Sequence, residues 1–275
     1  MKIQDARHAF VTGGASGIGL AIARALSEQG VKVTIADVNA QAVDAAVGEA
    51  GGSMRGIVLD VRDRSAWAVA RDEAEQAFGP VDLLFNNAGI ASLGFDLADL
   101  DPEAFDRVIA VNLTGVFNGI SAFAPGMRER RSGHIVNTSS MAGICGPAHG
   151  IGGSYAASKF GVVGLSETLR VELEPHGVGV SILCPGQTAT GIAQSSMALG
   201  GGFKLPTAGH SSPAAAANPA PRFETGTSEE LAELVLRGIE LNSPYIITRG
   251  RGWWSLAEAR HKVVENAFEG MKEPL

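Results

Sequence analysis

Short apolar runs alternate with longer, helix-patterned stretches through the first 190 residues, and this alternation restricts the chain more than any other feature. The runs are His8–Thr12, Val31–Ala36, Arg55–Leu59, Leu83–Asn86, His134–Ser139 and Gly179–Cys184. Each is a short apolar stretch rich in β-branched residues, the pattern of a strand covered on both faces. Between them lie helical stretches at Ile18–Gln29, Ala40–Ala50, Ser65–Phe78, Pro102–Arg131 and Tyr155–His176. Strand-helix alternation implies parallel pairing through right-handed crossovers, hence a doubly wound sheet. Near the end, Ser228–Leu241 reads as a helix with Ser228 as its N-cap, Tyr245–Thr248 as a last strand, and Trp253–Phe268 as an amphipathic helix. The expected fold is α/β, a single domain over residues 1–275 with a mainly parallel seven-stranded sheet and helices on both faces.

Composition excludes several partners. The net charge is −7, and no Lys/Arg-rich stretch exceeds a few residues, so nucleic acid is not an expected ligand. Cys145 and Cys184 are too few for a disulfide framework and stand in no metal-ligand spacing, so no metal is expected. The N-terminus has no signal-peptide profile. No window approaches the roughly 18 apolar residues of a membrane span. The expectation is a cytoplasmic protein without membrane contact.

The first strand runs into Thr12-Gly13-Gly14-Ala15-Ser16-Gly17-Ile18-Gly19 and then into a helix. The amides and dipole at a helix N-terminus favour a pyrophosphate, and Gly13, Gly17 and Gly19 remove side chains that would block it. Ser16 and Ile18 belong to the same turn. The spacing is G-x-x-x-G-x-G, placed where a Rossmann-type fold binds a dinucleotide. Asp37 ends the second strand, where an acid can accept both adenosine ribose hydroxyls and repel a 2′-phosphate. No Arg or Lys adjoins it in sequence, which favours NAD over NADP. The alternative is that Asp37 only caps the helix beginning near Asn39.

With these motifs together, the sequence resembles the short-chain dehydrogenase/reductase family. The resemblance rests on Thr12–Gly19, Asn86-Asn87-Ala88-Gly89, Asn112, Ser139-Ser140, Tyr155-Ala156-Ala157-Ser158-Lys159, and Pro185-Gly186 followed by Thr190. It is loosely similar to the subgroup that includes bacterial dehydrogenases for benzylic alcohols of lignin-derived aryl ethers. The implied activity interconverts a secondary alcohol and a ketone by hydride transfer. Alcohol oxidation requires loss of the hydroxyl proton, and a free tyrosine, titrating near ~10, is a poor base at neutral pH. Lys159 lies one helical turn after Tyr155 on the same face, where its ammonium would favour the phenolate. Tyr155 is thus the expected acid/base, Lys159 its activator, and Ser140 the anchor of the substrate oxygen. The family pattern points to Ser140 rather than Ser139. By resemblance, Asn112 sits inside the long helix and supports a water relay from Lys159.

The same resemblance places Asp60 and Val61 at the adenine and Asn87, Ala88 and Gly89 along the ribose. It sets Pro185, Thr188 and Thr190 at the nicotinamide, with Tyr155 and Lys159 also touching cofactor. Residues 191–226 are expected to form a substrate lid, followed by a helix-strand-helix segment over residues 228–275. Apolar residues and lone Lys204 and Arg222 there suit a bulky, neutral secondary alcohol or ketone; the subgroup likeness implies an aryl or benzylic one, with a steroid or terpenoid alcohol equally compatible. Kinship implies a homodimer or homotetramer through the two long helices. An NADP-dependent carbonyl or steroid reductase, and a non-catalytic NAD-sensing regulator, remain alternatives.

Overall fold

The computed structural model describes residues 1–91, 97–145, 152–186, 188, 226–248 and 251–270. Thr190, His149 and residues 191–225 of the expected lid lie outside them. Seven strands form one sheet: β1 (His8–Thr12), β2 (Lys32–Asp37), β3 (Met54–Val58), β4 (Leu83–Asn86), β5 (His134–Thr138), β6 (Gly179–Pro185) and β7 (Tyr245–Thr248). Their order is β3-β2-β1-β4-β5-β6-β7, and every pairing is parallel. The sheet is therefore wholly rather than mainly parallel.

The helices are α1 (Gly17–Glu28), α2 (Ala40–Glu49), α3 (Arg64–Phe78), α4 (Pro102–Ile109), α5 (Gly115–Arg130), α6 (Ala142–Cys145), α7 (Gly153–Leu173), α8 (Ser228–Glu240) and α9 (Arg251–Glu269). Alternate strand residues feed two cores, as the pleat requires. Phe10, Leu84, Ile135 and Val180 pack with Trp67, Phe123, Val162 and Leu169 of α3, α5 and α7. Val11, Phe85, Val136 and Leu183 pack on the other face with Ile22, Leu26 and Val235 of α1 and α8. Both faces are covered, which explains the uninterrupted apolar strands.

Local chemistry moves several boundaries. The long segment expected as one helix is α4 and α5 joined by a π-helical turn, Ala110–Thr114. One 18-residue window within Pro102–Arg130 has a mean hydropathy of 1.4 and is apolar enough for a bilayer, contrary to expectation. Its apolar residues Val108, Val116, Ile120 and Phe123 are, however, core residues. The N-cap of α8 is Thr227, not Ser228; Thr227 Oγ1 accepts from the Glu230 amide, and Glu230 reciprocates to the Thr227 amide, both at 3.1 Å. This two-way capping box satisfies two otherwise orphan donors. The first turns of α9 dock through Trp253 and Ala257 beside Cys145 and Cys184; every described residue from Glu258 onward is exposed, although the Arg260 guanidinium lies 4.7 Å from the Phe160 ring centroid. A Cβ on Gly161 would lie 2.9 Å from Leu113, so α7 packs closely there within the chain, whereas Gly164 faces open space.

Candidate active site

Strand order reverses direction between β1 and β4, and the C-terminal ends of diverging parallel strands leave a crevice. A cavity of about 560 Å³ opens there, lined from the glycine-rich turn across Asp37 and Asp60 to Ser140, Tyr155, Lys159, Pro185 and Thr188.

At its phosphate end, Gly13 and Gly17 adopt left-handed φ of 61° and 50°, a conformation that disfavours any side chain. A Cβ on Gly19 would overlap the Gly13 carbonyl oxygen and approach Asn87 Nδ2 to 2.7 Å. Ser16 is the N-cap of α1 yet makes no side-chain capping bond. The first helical amides, which have no partner within the helix, thus stand at the crevice beside a glycine cradle. This is a fitting seat for a pyrophosphate. Thr12 laces the floor: its Oγ1 accepts from the Asn87 and Ala88 amides at 2.9 and 3.1 Å.

Asp37 does not cap α2. That cap is Asn39, whose Oδ1 accepts from the Ala42 amide at 3.1 Å. Asp37 accepts from the Asn39 amide at 3.1 Å and the Ala15 amide at 3.4 Å, leaving its carboxylate on the cavity wall. Asp60 is differently occupied. Arg62 Nε donates to both of its oxygens, at 2.9 and 3.0 Å, and Arg62 Nη2 donates at 2.6 Å. The Arg62 hydrogen bonds hold the Asp60 carboxyl below its usual range. Arg62 also lines the cavity, so a cation shares the cavity with Asp37, although none adjoins Asp37 in sequence. Val61 is positioned through its carbonyl, which accepts from Trp67 Nε1 and Asn118 Nδ2, both at 2.9 Å.

The other end is built by β5, α6 and α7. Ser139 also lines the cavity, but it is buried and its hydroxyl is committed to the Lys159 carbonyl, to which it donates at 2.8 Å. Ser140 remains on the wall and hydrogen-bonds the Tyr155 side chain. Lys159 Nζ donates to the Thr138 carbonyl at 2.8 Å and lies 5.6 Å from the Tyr155 ring centroid. Burial pushes the Tyr155 phenol up, with the Ser140 hydrogen bond opposing, and pushes Lys159 down to about 8. Desolvation thus pushes the phenol in the direction opposite to the phenolate-favouring effect expected of the ammonium.

Asn112 lies within the π-helical turn. Its Oδ1 accepts from the Ile90 amide at 2.8 Å, and its Nδ2 donates to the Ile90 carbonyl at 2.9 Å and Ser158 Oγ at 3.1 Å. The side chain is fully buried and ties the loop after β4 to α7. A Cβ on Gly89 would meet Asn112 Oδ1 at 3.4 Å and Lys159 Nζ at 3.5 Å, so the three positions converge. Thr188 forms an isolated parallel bridge with Gly226, and Pro185 accepts from the Met141 amide at 3.1 Å. Two positioning residues, Asn118 and Trp67, and the wall residue Arg62 were missed by sequence reasoning. Only Arg62 left a sequence signal, a cation two residues beyond an acid already singled out. Among the described residues no cluster of His, Cys, Asp and Glu is arranged to hold a metal.

The chain matches the short chain dehydrogenase family over residues 7–198. It is 40% identical over 254 residues to the C alpha-dehydrogenase of Sphingobium sp. strain SYK-6, covering 90% of this chain and 82% of the relative. It is 39% identical over 184 residues to a 3-alpha-(or 20-beta)-hydroxysteroid dehydrogenase of Mycobacterium tuberculosis, covering 66% and 69%. The crystal structure of a short-chain dehydrogenase/reductase from Burkholderia phymatum in complex with NAD superimposes with a TM-score of 0.85 at 33% identity, covering 97% of each chain. Fold, motif order and these likenesses agree: the chain belongs to the short-chain dehydrogenase family, an oxidoreductase of alcohols and ketones that works with a nicotinamide dinucleotide.

Proposed function

We propose that this enzyme interconverts a bulky, neutral, apolar secondary alcohol and its ketone with NAD(H), with Tyr155 as acid/base. The observation that carries this reading is the convergence of Ser140, Tyr155 and Lys159 on the cavity that also holds the glycine cradle and Asp37. The bound dinucleotide supplies the hydride acceptor or donor and, when oxidised, a positive charge. Tyr155 takes the proton from the alcohol, or returns it to the forming alkoxide. Ser140, already bonded to the phenol, holds the substrate oxygen as its charge changes. Lys159, held by the Thr138 carbonyl, supplies a positive charge and a contact to the nicotinamide ribose. Asn112 keeps the surrounding loop in register and supports the proton path from Lys159.

Asp37 supports NAD, because its carboxylate accepts ribose hydroxyls and repels a 2′-phosphate. An apolar aryl or benzylic alcohol is supported by the likeness to the Sphingobium C alpha-dehydrogenase. A steroid alcohol is the second reading, favoured by the mycobacterial hydroxysteroid relative. Assembly as a homodimer or homotetramer is supported by exposed Phe117 on α5 and Val171 on α7.

The test is absorbance at the NADH band over aryl carbinols, steroids, terpenoids and small sugars, with NAD and NADP in parallel. NAD-linked turnover of an aryl carbinol is expected, and turnover only with NADP would overturn the cofactor assignment. Tyr155→Phe should lower turnover by orders of magnitude while NADH still binds; unchanged turnover would remove Tyr155 as acid/base.

A further inference from the structure

Arg62 raises a question that the proposed NAD preference leaves open: why does a cation line a dinucleotide cavity that is to exclude a 2′-phosphate? The ends of β2 and β3 are hydrogen-bonded neighbours, since the Leu59 amide donates to the Asp37 carbonyl at 2.9 Å. Asp60 is the next residue, and Arg62 follows two further on, before Asp63 caps α3. Asp37, Asp60 and Arg62 all face one cavity.

The Asp60 carboxylate is engaged from one direction. It accepts from Arg62 Nε, Arg62 Nη2 and the Arg62 backbone amide, the last at 3.0 Å. One edge of the guanidinium is thereby held against the carboxylate, while its side chain stays 45% exposed. A guanidinium tied along one edge keeps its flat face for an aromatic ring. Its charge is cancelled locally by Asp60, so it offers little to an incoming phosphate. The loop that carries both residues is itself fixed, because Trp67 and Asn118 both hold the Val61 carbonyl. The arrangement is therefore a built wall rather than a loose surface pair.

We propose that Arg62 is the side chain that the adenine of the dinucleotide stacks on, and that Asp60 sets the dinucleotide choice by neutralising it. Asp60 is then a specificity-determining residue acting through Arg62. Removing its charge frees a guanidinium close to the ribose 2′ position and admits the phosphorylated dinucleotide. The inference deepens the NAD assignment and rests on it for the role of Asp37.

The experiment is equilibrium binding, by calorimetry and by NADH fluorescence, of ADP-ribose, NADH and NADPH to the full chain. Arg62→Ala should weaken ADP-ribose and NADH together by about threefold to tenfold, between the exposed and desolvated limits of a cation–aromatic contact. Asp60→Asn, which keeps the shape and removes the charge, should lower the NADPH-to-NADH ratio of Kd by about tenfold or more, as expected for a newly available charge-assisted contact. Adding Arg62→Ala to Asp60→Asn should abolish that gain, a response that a merely structural role for Asp60 would not produce. Circular dichroism and melting temperature report whether each variant is folded, and Arg62→Lys tests charge without the flat face. ADP-ribose affinity within twofold of wild type in folded Arg62→Ala, or no change of the ratio in folded Asp60→Asn, overturns the proposal. A wild type that already prefers NADPH overturns the Asp37 reading instead, so the two failures are distinguishable.

Discussion

Replacing Asn112 by leucine separates a structural lock from a pure relay support. In the wild type, the Asn112 amide makes three hydrogen bonds, two to the Ile90 backbone and one to Ser158. Leucine has a similar volume, so little cavity or overpacking cost is added. Ser158 keeps its donation to the Tyr155 carbonyl at 2.7 Å, but the Ile90 amide and carbonyl lose their partner. Position 112 is fully buried, so water does not replace the lost bonds without a rearrangement. A buried group left unsatisfied costs about 1–3 kcal/mol, which puts the loss for two groups at about 2–6 kcal/mol. That is a large share of the roughly 5–15 kcal/mol by which folded domains are stable. The assay is urea unfolding of Asn112→Leu without cofactor, with the slope compared to wild type so that a midpoint shift reports stability. A loss below about 1 kcal/mol would refute the lock, and Asn112 would then act only through the proton path.

Gly19→Ala should weaken NADH binding by about tenfold or more, because the methyl meets the Gly13 carbonyl and Asn87 and opens the pyrophosphate turn; fluorescence titration checks this. Asp37→Ala should erode discrimination against NADP by about tenfold, the scale of a lost charge-assisted bond plus relieved repulsion, read as the ratio of kcat/KM for the two cofactors. Burial pushes His134 down from 6.5 to about 3, so as pH falls below 6.5 the unfolded chain takes up a proton before the folded one. The stability it contributes is complete above that pH and is lost progressively toward pH 3, about 1.4 kcal/mol by about pH 5.5. His134→Gln should flatten the pH dependence of the urea midpoint over this window; an unchanged slope would refute the assignment.

The seven strands and the crossover helices were legible in the sequence because both sheet faces are covered. Burial on two sides forces uninterrupted apolar strands, and the amphipathic stripes of α1, α3 and α8 recur at the helical period. The glycine-rich turn was legible because backbone approach and left-handed φ demand glycine itself, as at Gly13 and Gly17. Tyr155 and Lys159 share a helix face by spacing alone. Tertiary structure decided what depends on partners distant along the chain. Ser139 has its hydroxyl committed to the Lys159 carbonyl, 20 residues away. Asn112 is a lock because a π-helical turn brings it against Ile90. Asp60 is taken by Arg62, and burial raises the Tyr155 phenol while lowering Lys159. Periodicity and local backbone demands are written into consecutive residues, whereas hydrogen-bond partners and desolvation exist only once the strands and helices have packed.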